Sequence, residues 1–199
     1  MYYKIYTNVR DGAWECLADH FIDRLPVDVL KIARINHIDV KKNSSLNVLL
    51  PSEMAKSYFN GHKWIVIYDD RNDVLTNRYA IAHELGHIFL GHATTHTKYM
   101  NILEFGKKPK SEQHADMFAQ RLLCPVSVLR QIGAISPEEI AEVCRVPLSC
   151  AKERSKRLKT LLKRDKFLTH ELEIRVFENF KPFIHEFNAS KEKTEEQNQ

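Results

Sequence analysis

Apolar residues recur at helical spacing from about residue 12 to 24, through Ala13, Leu17, Phe21 and Leu25. Pro26 suits the first position of a second helix reaching about residue 35. Three short apolar runs, at 48–50, 58–59 and 64–68, then read as strands. The Asn60-Gly61 pair between the last two is a hairpin signal. A charged turn at 69–73 leads into a long helix over about 74–91, which Gly91 stops. Residues 92–110 are polar, contain Gly106 and Pro109, and read as a loop. From about Ser111 to Pro125 another helix carries an apolar stripe of Ala115, Phe118, Ala119, Leu122 and Leu123. Ser136-Pro137-Glu138-Glu139 is a capping box with proline at the first helical position, so a helix starts there. Val146-Pro147 breaks it, and helices are expected over 148–162 and 169–187. The polar stretch 188–199 reads as a disordered tail.

Composition narrows the class. With 199 residues, 43% apolar and 28% charged, the chain can bury a core, as one domain or one domain with a small appendage. The longest apolar run, 64–68, has five residues, far short of the roughly 20 that a membrane-spanning helix needs. The N-terminus lacks the apolar stretch of a secretory signal, which points to the cytoplasm. Cys16, Cys124, Cys144 and Cys150 form no CxxC pair and read as buried thiols.

The chemistry is concentrated in the long helix. Four of the ten histidines, His83, His87, His92 and His96, fall within fourteen residues. Two of them frame His83-Glu84-Leu85-Gly86-His87. Residues four apart on a helix share a face, with Cβ atoms about 5–6 Å apart. That spacing lets both imidazoles bind one zinc at about 2.0–2.1 Å. Glu84, next to the first of them, is placed to take a proton from water. A catalytic zinc needs a third protein ligand. His92 stands about 140° around the helix from His87 and about 180° from His83, so it points away unless the helix has ended. Glu112 is the better candidate, with His114 and His96 as alternatives. Asp116, one turn beyond Glu112, can accept the N–H of a ligating histidine and fix its tautomer.

These two blocks, residues 78–92 and 112–125, resemble the ImmA/IrrE family of bacterial zinc metallopeptidases. Its AHELGHxxLxH helix is matched at residues 82–87, Leu90 and His92. Its ExxANxFAxxLLMP block is matched at Glu112, Ala115, Phe118, Ala119, Leu122, Leu123 and Pro125. The chain departs from it at Asp116, where the family often has Asn, and at Cys124, where Met is usual. The likeness covers roughly residues 12–155. It implies an intracellular zinc endopeptidase that cuts helix-turn-helix repressors of mobile elements or stress regulons. His83, His87 and Glu112 would hold one Zn²⁺ per chain, and Glu84 would be the catalytic acid/base. Spacing alone gives only a zinc-dependent hydrolase. Tyr58, His96 and His114 are open candidates for the oxyanion stabiliser.

Charge adds a question about partners. The net charge is +4, yet residues 145–166 alone hold nine Lys or Arg against two acidic residues. Residues 138–162 have the outline of a degenerate helix-turn-helix, with Ala141 where such motifs want a small residue, but with Arg145 and Pro147 in the turn. A solvated packing helix is the plain reading of this block. Among functional readings, docking of a protein partner is favoured over DNA contact through Lys156, Lys159 and Lys163. The rival for the whole chain is a zinc-stabilised DNA-binding regulator without peptidase activity. The expected architecture is α+β: a zincin-like metallopeptidase domain at 1–133 with a short antiparallel sheet, a helical subdomain at 134–187, and the tail at 188–199. The oligomeric state is left open.

Overall fold

The computed structural model describes residues 8–92 and 109–197. The chain is an α+β protein whose contacts cluster into two compact units, residues 1–13 with 28–120, and residues 14–27 with 121–199. Most of the expected 92–110 loop, including His96, lies outside the described residues. Among those described, no helix is long and apolar enough to cross a membrane.

Among the described residues, the first unit is built on a three-stranded sheet. β1 (Asp39–Lys42), β2 (Ala55–Phe59) and β3 (Trp64–Tyr68) lie in the order β1-β3-β2. β2 and β3 form the expected antiparallel hairpin, with Phe59 opposite Trp64. Asn60 closes its turn by accepting from the backbone N–H of His62 and Lys63, and Gly61 takes a φ of +91°. The sheet as a whole is mixed rather than antiparallel, because β1 pairs with β3 in parallel. Pattern alone misses β1: Val40 is its one apolar residue, and Lys41 and Lys42 are the charges that protect an exposed edge. The expected strand at 48–50 does not form. There the N–H groups of Val48 and Leu49 donate to the buried Asn43 side chain, so no strand partner is needed.

Against the sheet packs α3 (Val74–Phe89), the long helix that the sequence predicts. Asp73 caps its N-terminus by accepting from Leu75 and Thr76, and Gly91, at φ +72°, follows its end. α2 (Val29–Ile35) starts three residues later than Pro26, because Asp28 supplies the cap by accepting from Lys31 N–H at 2.9 Å. α4 (Lys110–Leu123) carries the second motif. Gly86 lets α3 and α4 approach closely: a Cβ there would stand 3.2 Å from the Ala115 carbonyl oxygen and 3.2 Å from the Phe118 ring.

The second unit is helical. It takes in the end of α1 (Val9–Asp19), a helix whose start, counted with the first unit, comes earlier than expected, where Asn8 accepts from Arg10 N–H at 2.9 Å, and which ends before Phe21 at φ +48°. α5 (Val126–Gln131), α6 (Pro137–Cys144), α7 (Leu148–Arg164) and α8 (Glu171–Gln197) complete the chain. The Ser136–Glu139 capping box forms in full. α8 runs through Gln197, past residue 188 where a disordered tail was expected, since the Lys-, Glu- and Gln-containing end continues an established helix. All four cysteines are buried.

Candidate functional site

α3 carries His83, Glu84 and His87, and the first turn of α4 carries Glu112. Glu112 Oε1 lies 3.0 Å from His87 Nε2 and its Oε2 lies 3.3 Å from His83 Nε2, while the two Nε2 atoms are 3.1 Å apart. Zinc with ligand bonds of about 2.0–2.1 Å separates tetrahedral ligand atoms by about 3.3 Å. Two imidazoles and a carboxylate, converging at that spacing, fit such an ion in both chemistry and geometry. Among the described residues, this is the one group of three potential ligands whose donor atoms lie within 4.8 Å of one another.

The neighbours hold these side chains in place. Asp116 Oδ1 lies 2.9 Å from His83 Nδ1 and accepts from the Tyr79 hydroxyl at 3.2 Å. A proton on Nδ1 leaves Nε2 as the free donor atom, facing Glu112 and His87. Burial alone would push the His83 imidazole down, but its hydrogen bonds to Asp116 and Glu112, with the charges of Glu84 and Asp116, raise its pKa to about 9. Those same imidazole contacts, from His83 and His87, hold the Glu112 carboxyl well below its ordinary value. In this arrangement the metal-free cluster is a charged hydrogen-bonded network.

Glu84 is 8% exposed and accepts from Ser57 Oγ at 2.6 Å through Oε2; its other carboxylate oxygen makes no hydrogen bond among the described residues. Ser57 sits in the middle of β2, so the sheet touches the one acidic residue of the motif that is not in the ligand triad. His92 follows the end of α3 and turns back, its ring 5.5 Å from that of His87. Burial first, then the charges of His87 and His114, lower its pKa to about 4. His114 is exposed, 5.9 Å ring to ring from His92, and does not join the triad. Tyr58 is half-buried on β2.

Ser57 and Tyr79 are absent from the sequence reading. Tyr79 had a legible signal, since it stands four residues before His83 and therefore on the same helical face. Ser57 had only a weak one, a small polar residue buried at the centre of a strand that also carries Lys56. Its contact with Glu84 spans 27 positions. In the second unit, α7 exposes Lys156, Lys159 and Lys163, while Arg154, counted in the same basic block, is 5% exposed and donates to the Cys124 carbonyl at 2.7 and 3.0 Å. Arg145 takes a left-handed φ of +53° in the turn between α6 and α7.

A family model, Peptidase_M78, described as the IrrE N-terminal-like domain, matches residues 39–156. No curated protein sequence matches the chain. The matched span contains the sheet, the candidate ligand triad and the residues bonded to it.

Proposed function

The chain belongs to the Peptidase_M78 metallopeptidase family, and on that premise we propose that it is a zinc-dependent endopeptidase acting in the cytoplasm on a helix-turn-helix transcriptional repressor. The observation that carries the reading is the convergence of His83, His87 and Glu112 donor atoms, with a buried Glu84 beside them. These three residues would hold the ion. Zinc bound there supplies Lewis acidity, which polarises a carbonyl and acidifies water. Glu84 then takes the proton of the attacking water and returns it to the departing amine. Ser57 fixes Glu84 through one oxygen, which leaves the other for the reacting water. Asp116 and Tyr79 keep His83 in the tautomer that presents Nε2.

The sheet supplies a track for substrate. β2 is at an edge of the sheet among the described residues, so one side of its backbone can pair with an extended peptide. Because Ser57 is central in β2 and touches Glu84, a peptide lying along that edge carries its backbone past the acid/base. The exposed lysines of α7 suit an acidic surface on the protein substrate.

The test is purified protein, assayed for zinc by elemental analysis and incubated with the repressor encoded beside its gene. About one zinc per chain and a discrete pair of fragments are expected, with no fragments from Glu84→Gln. A Glu84→Gln protein that regulates its target as the wild type does would favour the DNA-binding regulator instead.

A further inference from the structure

Phe59 is a large apolar side chain left 51% exposed on the strand that borders the site. Its face is set by register. Ser57 pairs with Val66 and Phe59 with Trp64, and directly paired residues point to the same side of a sheet. Phe59 therefore stands on the face of β2 where Ser57 meets Glu84, two residues along, or about 6.8 Å. Its ring rests on Trp64 at 5.4 Å between centroids, tilted by 55°, and Trp64 is 6% exposed. The result is a braced aromatic surface, open on one side and one strand repeat from the acid/base. On the other side of Ser57 the same face carries the small Ala55, opposite Tyr68.

We propose that Phe59, backed by Trp64, is a substrate-selecting subsite that receives an apolar side chain two or three residues from the cleaved bond. The inference rests on the peptidase reading and on substrate pairing along β2. In such pairing, the substrate residue opposite Phe59 presents its side chain on Phe59's own face, with Cβ atoms about 4.5–5.5 Å apart. Neither Phe59 nor Trp64 offers a charge there. A carboxylate or amide placed against the ring would lose water without gaining a partner, whereas an aromatic or long aliphatic chain covers exposed apolar area.

The experiment uses the full-length zinc-loaded protein and a library of peptides from a digested bacterial proteome, with new termini read by mass spectrometry. Wild-type cuts should be enriched in Phe, Tyr, Trp, Leu or Met at one position two or three residues from the bond. Phe59→Ser should erase that enrichment and lower the kcat/KM ratio of apolar over polar peptides about ten-fold. Phe59→Leu, which keeps an apolar surface, should retain aliphatic selection and lose the aromatic part. Binding gives a second readout: in Glu84→Gln protein, adding Phe59→Ser should weaken affinity for the best peptide about ten-fold. Zinc content and melting temperature establish that each variant is folded. Cleavage without apolar enrichment there, enrichment in basic residues, or enrichment that survives Phe59→Ser would overturn the subsite alone. No cleavage by zinc-loaded wild type would overturn the peptidase reading and the subsite together.

Discussion

Glu84 and Glu112 are both carboxylates of one site, yet their surroundings separate their roles. Glu112 faces two imidazoles, while Glu84 faces the Ser57 hydroxyl. Glu84→Gln should keep stoichiometric zinc while turnover falls by about 10²–10⁴, the usual share of a general base. Glu112→Ala should lose the metal itself, read by elemental analysis after dialysis. Retention of full zinc affinity by Glu112→Ala, with loss in His114→Ala, would show that the third ligand is misassigned. Asp116→Asn can present its amide nitrogen or its weaker carbonyl acceptor to His83, so zinc affinity should drop by about 10–100-fold without loss of fold. At this scale the shared face of His83 and His87, and that of Glu112 and Asp116, were legible, because i,i+4 spacing fixes relative position within one helix, whereas the meeting of the two pairs depends on how α3 and α4 pack. Ser57 was not, since a contact between strand and helix has no period in the sequence.

Between elements, the close approach of α3 and α4 at Gly86 controls whether Glu112 reaches the two histidines. Replacing a helical glycine by alanine stabilises an isolated helix by about 1 kcal/mol. Here the added Cβ would press on the Ala115 backbone, with its oxygen at 3.2 Å and its Cα at 3.3 Å. Backbone atoms can yield only if α4 moves, and overpacking of this kind costs about 1–3 kcal/mol. Gly86→Ala should therefore lower the melting temperature and weaken zinc binding, against its helix propensity. A more stable variant with undiminished zinc affinity would show that α4 accommodates the methyl group. The helix starts at Asp73 and Ser136 obeyed local chemistry and could be read directly. β1 could not, because an edge strand with two lysines acquires its identity from β3.

For the whole molecule, pH should act on the metal-free and metal-bound forms in opposite ways. His83 is raised from 6.5 to about 9, so its protonated form stabilises the metal-free fold below 6.5, and that gain is lost as pH rises through 9. Glu112 is held below 4.5, so its contribution is present above that value and is lost as pH falls. Metal uptake must displace the His83 proton, so zinc affinity should rise with pH up to about 9. Calorimetry in buffers of different ionisation enthalpy should detect about one proton released per zinc at pH 7; no release would overturn the network. At the same scale, Lys156, Lys159 and Lys163 changed together to Gln should leave zinc and fold intact and slow repressor cleavage at limiting concentration. Tight, sequence-selective duplex binding lost in that variant would identify DNA as the partner. By itself the sequence determined most of the helices (though not α5), the shared face of His83 and His87, and the family resemblance, because caps, 3.6-residue periodicity and i,i+4 spacing are local. Tertiary structure alone decided that Arg154 is a buried brace rather than part of a solvated basic face, since burial depends on what packs over a residue. It also placed residues 14–27 with the C-terminal helices, through Trp14 on His170 and Asp19 on Arg175. Contacts between groups more than 150 positions apart leave no trace in local pattern.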